Sequence, residues 1–256
     1  AADEDGLGLY RRYVMRVLLL MLLLGSVALN GLAQTGEKPD DASYYEASTL
    51  YDNGQLEQAE NHLNAHLEKW PKDDAAYALR AMVHDELGDT TAALADIEKA
   101  LSISYYTPEY HRNAGFIKQR MGRLFEAERH FRIYLNKNHN EPAAYEQLAE
   151  VLLLQEKYKM AGQTIATGLR VAPKDEWLMV QQVRYWRLET QLDSAKAAGE
   201  KLIARYPANA MGHRLMGQTL YELDEAGYCT HFDKAAELGD AKARVLKRAY
   251  CEQNQD

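Results

Sequence analysis

From about residue 40 to residue 252, apolar positions recur every three or four residues, the spacing of helices with one buried face. The stretch 142–175 shows the pattern. Pro142 opens a helix at a position where its missing N–H costs nothing, and Tyr145, Leu148, Ala149 and Leu152 share a face. A turn near Glu156-Lys157 leads to a second helix bearing Tyr158, Ala161, Ile165 and Leu169, which Pro173 stops. The prediction is an all-α chain of short antiparallel helix pairs.

The pairs repeat every 34 residues. Gly54, Gly88 and Gly122 keep that spacing, as do Ala59, Ala93, Ala127, Ala161 and Ala195. A second small-residue phase runs through Ala47, Ala81, Gly115 and Ala149, then Val183 and Gly217. Pro71, Pro173 and Pro207 share a closing phase with Tyr105 and His139. Two helices approach closely only where neither carries a bulky side chain, which explains the alanine phases. The glycine phase lets the chain take a positive φ between helices. Six units follow, at 40–73, 74–107, 108–141, 142–175, 176–209 and 210–239, with a capping helix at about 240–252. Each unit buries its apolar face against its neighbours, so one core grows along the array.

Ala47, Gly54, Ala59, Leu63 and Pro71 in the first unit resemble the tetratricopeptide-repeat pattern. So do Gly115, Gly122, Ala127 and Phe131 in the third, and Ala149, Tyr158, Ala161, Ile165 and Pro173 in the fourth. The resemblance covers about residues 40–240. The fifth unit departs from it, with Val183, Thr190 and Gly199 at the small, glycine and aromatic phases. The resemblance implies a right-handed α-solenoid of about six helical hairpins with a C-terminal capping helix. It also implies a concave groove lined by the first helix of each hairpin.

By that geometry the groove candidates are Tyr44, Tyr51, Met82, Arg112, Phe116, Glu150, Arg184, Arg187, Arg214 and Tyr221, with Asp85, Gln119 and Glu146 on the same face. Aromatic and Met side chains suit a surface that loses water on binding. Arginine forks hold carboxylates in a bidentate manner, which fits an extended peptide of alternating charge. Intrachain ion pairs in a solvated groove fit the same arginines. The family's clamp for the acidic tail of chaperones needs Lys and Asn at inner phases. Here those phases carry Tyr44 and Ser48, Ala78 and Met82, or Arg112 and Phe116, so that specificity is not expected.

The N-terminal region reads differently. Val17 to Leu29 is an uncharged apolar run, short for a bilayer span, preceded by Arg16 and followed by Gly31-Leu32-Ala33. Residues 1–33 are therefore expected to hold a secretory signal peptide cleaved after Ala33, or after Ala28, with an uncleaved anchor as the alternative. Met15 is a sensible start, which makes residues 1–14 a scar or a misassigned start. Arg11-Arg12 leaves the twin-arginine route open beside the general one. Residues 34–39 form a linker, and the mature chain is expected to be periplasmic or secreted, with no integral membrane span.

Composition narrows the chemistry. The formal charge is -8, from 30 Lys and Arg against 38 Asp and Glu, and this disfavours nucleic-acid binding. The two cysteines, Cys229 and Cys251, lie symmetrically about Asp240. A hairpin turning there would hold them at one height, giving a disulfide in an oxidising compartment; two unpaired core thiols are the alternative. His62 and His66 stand four apart on one helix, but no third metal ligand is near in sequence, and His66 falls at a helix-contact phase. There is no phosphate-binding glycine loop and no nucleophile–base frame, so neither catalytic residues, cofactor nor metal are expected. The expected function is a non-enzymatic adaptor that holds a protein or peptide in an envelope complex. The alternative is a carbohydrate- or cell-wall-binding module using Trp70, Trp177 and Trp186.

Overall fold

The computed structural model describes residues 42–252, and every regular element among them is helical. Six hairpins run α1 (Ala42–Asp52) with α2 (Leu56–Lys69), α3 (Asp74–Leu87) with α4 (Thr90–Ile103), and α5 (Pro108–Arg120) with α6 (Leu124–Lys137). They continue with α7 (Pro142–Leu154) and α8 (Tyr158–Val171), α9 (Glu176–Leu188) and α10 (Leu192–Arg205), then α11 (Ala210–Glu222) and α12 (Tyr228–Glu237). A final helix α13 (Ala241–Lys247) passes into a π-helical turn, Arg248–Glu252. The leader 1–33, the linker 34–39 and residues 253–256 lie outside the described residues.

Local chemistry sets the helix starts. The side chains of Asp73, Asp89, Asp175, Asn209 and Asp240 each accept a hydrogen bond from the backbone N–H three residues on, satisfying a donor that the first helical turn leaves open. Pro108 and Pro142 do the same work passively, having no N–H to satisfy.

The turns inside the hairpins repeat one conformation. Gly54, Gly88 and Gly122 take φ of 72°, 87° and 72°. The next three residues at that phase are Glu156, Thr190 and Asp224, with φ of 59°, 56° and 56°. The left-handed turn thus persists where glycine does not, against the steric preference of L-residues. Thr190 is a departure in residue type and not in backbone.

The core follows the alanine phase. Ala59, Ala93, Ala127, Ala161 and Ala195 are all completely buried, each where the two helices of its hairpin meet. Large side chains fill around them: Leu63, Ile97, Phe131, Ile165 and Leu202 are buried. Sizes trade off between phases. Gly115 stands where three of the six units have alanine because the Phe131 ring fills that space; a Cβ on Gly115 would lie 2.5 Å from it. In the fifth unit the space beside Gly199 is taken by the Met216 sulfur of the next unit, 3.1 Å from where a Cβ would stand.

Neighbouring hairpins also join through their first helices. α3 touches α5, α7 touches α9 and α9 touches α11, while second helices do not approach one another comparably among the described residues. The first helices therefore form the inner side of the curve.

The last hairpin slips by one residue. Gly217 lies 102 residues after Gly115 and packs on Phe232, which lies 101 after Phe131. The path between the two positions is one residue shorter than in the third unit, while Gly227, at φ 98°, delays the start of α12 to Tyr228. This corrects the expected placing of Cys229. It shares the alanine phase in sequence, yet it is only half-buried where the five alanines are fully enclosed. The level match about Asp240 holds nonetheless, and Cys229 and Cys251 form a disulfide with Cα atoms 5.8 Å apart.

Candidate functional site

The inner layer carries the groove candidates on α1, α3, α5, α7, α9 and α11. Interactions within the chain divide them into two groups.

The first group is bonded to other side chains of the chain, although the buried Arg187 Nε has no partner. Arg187 donates to Gln218 Oε1 at 3.1 Å and forms an ion pair with Glu222. Arg214 donates from Nε to Asp240 Oδ2 at 2.7 Å, joining the last groove helix to the cap. Arg184 donates to Gln181 Oε1, one turn back on α9. The Tyr51 hydroxyl donates to Glu86 at 2.5 Å, across to the next unit. For Arg187 and Arg214 the intrachain-pair reading describes the geometry. Their role is to stitch successive repeats together, and Glu222 and Asp240 were not legible as their partners from sequence.

The second group is less engaged within the chain. Arg112 lies over the Tyr134 ring, 5.8 Å from its centroid, and its Nε finds no hydrogen-bond partner although buried. Gln119 Oε1, two turns further along α5, is likewise buried without a partner. Asp85 on α3 is 4% exposed; Arg120 donates to its Oδ2 at 2.9 Å, while its Oδ1 has no partner. Burial raises its carboxyl above the ordinary aspartate value, against the pull of Arg120. Phe116, one turn after Arg112 on α5, meets Phe131 edge to face with ring centroids 5.5 Å apart. Met82 is half-buried on α3.

On α7, Glu146 and Glu150 are half-buried. Burial, then the neighbouring Asp175 carboxyl hydrogen-bonded to it, push Glu146 up to about 7. Two carboxyl groups so close hold a proton between them near neutrality. The run from α3 to α7 is therefore a polar strip with an aromatic centre: acid at Asp85, base at Arg112, acid at Glu146 and Glu150. Tyr44 is half-buried beside His66 at one end, and Tyr221 is 44% exposed at the other.

The remaining candidates do not assemble. His66 is fully enclosed, bonded to Ser43 Oγ at 2.9 Å and Asp73 Oδ2 at 2.8 Å, whereas His62 lies 3.3 Å from Glu46. The first is a packing residue at a helix contact. Trp70 ends α2, while Trp177 and Trp186 lie two and a half turns apart on α9, with Trp186 packed against the core beside Val180. Among the described residues no helix is long and apolar enough to cross a membrane.

Two pairs of imidazoles went unseen in the sequence. His111 and His130 approach Nδ1 to Nδ1 at 3.0 Å, and His213 and His231 at 3.1 Å, three repeats further on. In each pair the first-helix histidine also points Nε2 at the carbonyl six residues earlier, Tyr105 or Pro207. Tyr77 and Tyr145 send their hydroxyls to the equivalent carbonyls in two other units. The periodic feature is a donor for the inter-repeat loop, and a histidine supplies it as well as a tyrosine.

The architecture is thus that of an α-solenoid built from two-helix modules. Residues 32–105 match the family model for the tetratricopeptide repeat. The human tetratricopeptide repeat protein 6 is 26% identical over 129 residues, half of this chain and a quarter of that protein's length. The solved structure of PilW, a widely conserved type IV pilus biogenesis factor, superposes with a TM-score of 0.69 at 19% identity, covering 86% of this chain and 97% of its own. YrrB, a protein of the same repeat with an unusual peptide-binding site, gives 0.56 at 19% identity, with 73% and 97% covered. Residues 32–105 thus match the tetratricopeptide repeat, and the same 34-residue register and two-helix fold continue through the later units.

Proposed function

We propose that the protein is a non-enzymatic adaptor that holds an extended peptide segment of a partner along the first helices of its central repeats. One observation carries the reading. Arg112 Nε and Gln119 Oε1 on α5, the helix that also carries Phe116, and Asp85 Oδ1 on α3 are buried polar atoms without partners. Leaving such an atom unpaired costs about 1–3 kcal/mol, and a peptide backbone offers both the donors and the acceptors that would satisfy it. Phe116 and Met82 supply apolar contact, and Arg112 and Glu150 select for alternating charge. YrrB, with its peptide-binding site on the same kind of scaffold, is consistent with this use of the surface.

The location is part of the proposal. The apolar run from Val17 to Leu29 supports export, and the disulfide suits an oxidising compartment, so the partner belongs to an assembly of the bacterial envelope. PilW, a pilus biogenesis factor of the same fold, is in keeping with that setting.

Selection of peptides from a random library on the purified chain tests the function. Binding of the recovered peptides should fall at least about tenfold in Phe116→Ala and in Arg112→Glu, and stay unchanged in Gln163→Ala on an outer helix. Peptides that bind all three variants equally would remove this strip from the account.

A further inference from the structure

The chain's own tail occupies the last position of the groove. Tyr221 occupies on α11 the phase that Tyr51 holds on α1 and Arg187 on α9. Its ring lies 4.3 Å, centroid to centroid, from that of Tyr250 in the terminal π-helical turn, with Tyr228 meeting it at 5.4 Å. Phe232 lies beneath Tyr250 at 6.4 Å. The residue after Tyr250 is Cys251, so the disulfide to Cys229 holds this ring in place. Lys247, the last residue of α13, pairs with Asp233 at 2.8 Å and is a second tie just before that turn.

We propose that Tyr221, Tyr228 and Phe232 form a subsite for an aromatic side chain of the bound peptide, filled in the oxidised protein by Tyr250 and opened when Cys229–Cys251 is reduced. The inference rests on the peptide-groove reading. Tyr221 stays 44% exposed with Tyr250 against it, so the site borders solvent, and both cysteines are half-buried, within reach of a small thiol. The chemistry is ordinary exchange with a dithiol. One reductant thiolate attacks a cystine sulfur and the other cysteine leaves as thiolate, taking up a proton. The second reductant thiolate then breaks the mixed disulfide. The chain gains two thiols, and the reductant is oxidised to its cyclic disulfide. Without the covalent tie, the π-helical turn is held by ring contacts and exposed ion pairs, which compete poorly with a ligand of matching shape.

The probe is a labelled peptide copying residues 244–252 with Cys251→Ser, titrated against the full chain. The chain reduced with dithiothreitol should bind it at least about tenfold more tightly than the oxidised chain, because Tyr250, held only through its backbone once the disulfide is open, competes less well for the subsite. Tyr221→Ala should abolish the gain. Equal binding by oxidised and reduced chains, none included, overturns the proposal, as does a gain that survives Tyr221→Ala. Trypsin gives a second reading: cleavage after Lys247 and Arg248 should accelerate on reduction while the rest of the chain stays intact, and an unchanged rate also counts against it. Library-selected peptides that still depend on Arg112 and Phe116 would show the groove reading to stand even if this one fails.

Discussion

His130 donates its Nδ1–H to His111 Nδ1 across 3.0 Å, and that direction follows from geometry. His111 Nε2 lies 2.7 Å from the Tyr105 carbonyl, an acceptor, so the His111 proton is on Nε2 and its Nδ1 is bare. His213 and His231 repeat the arrangement against Pro207. The accepting Nδ1 of His111 has to stay bare, since a proton there would set two N–H groups against each other. Burial, aided by His111, Arg129 and Lys118, brings His130 down to about 4, and burial lowers His111 and His231 too.

A pH profile of stability should show two opposing contributions. The unfolded chain protonates His130 near 6.5 and the folded chain only near 4, so stability falls as pH drops through that window, by up to about 3 kcal/mol. Glu146 acts with the other sign: its folded value of about 7 exceeds the unfolded one, so its share of stability is lost as pH rises from about 4.5 to 7. Denaturant melts from pH 4 to 7.5 should show a shallower acid loss for His130→Gln than for the native chain. Glu146→Gln should instead remove the loss toward neutrality.

The three left-handed non-glycine residues offer a gain in stability. Left-handed φ costs an L-residue about 1–2 kcal/mol, while glycine's extra freedom in the unfolded chain returns about 0.5–1. Glu156→Gly, Thr190→Gly and Asp224→Gly should each stabilise by about 0.5–1 kcal/mol in thermal or urea melts, most at the β-branched Thr190. Gly88→Ala, at φ 87°, should destabilise by about 1 kcal/mol.

Gly115→Ala should cost about 1–3 kcal/mol, because its Cβ would enter the Phe131 ring. Phe131→Leu makes room, so a double-mutant cycle over the two sites should show favourable coupling. Additive losses would mean that the ring does not fill the glycine's space.

Opening the 22-residue separation between Cys229 and Cys251 should lower stability by about 3 kcal/mol on the chain-entropy model. Guanidinium melts of Cys229→Ser/Cys251→Ser measure it directly.

The array itself was legible because small residues at a helix contact leave few substitutes. Ala59 and its equivalents must be small in every unit, so the period survives in the letters. The left-handed turn was legible only where glycine occupies it; Glu156, Thr190 and Asp224 adopt it through the packing of their hairpins, and nothing in those side chains announces it. The one-residue slip at α12 escaped for a related reason. Phe232 and His231 reach their structural partners over a path one residue shorter than Phe131 and His130 do, so a count along the sequence assigns the wrong phase. In the groove, sequence placed the residues by helix phase but not their bonds. Arg187 and Arg214 are spent on Glu222 and Asp240 because those carboxylates reach them from the next unit and the cap, contacts 35 and 26 residues away. The free groups of Arg112, Gln119 and Asp85 became visible only once the neighbouring side chains were placed.

Hydrogen exchange with and without a library-selected peptide tests the central claim most directly, since it reads which helices meet the ligand. Slowed exchange confined to α3, α5 and α7, with α4, α6 and α8 unchanged, is the result expected of a peptide lying on the inner layer. Protection centred on the second helices or on the loops between hairpins would contradict it.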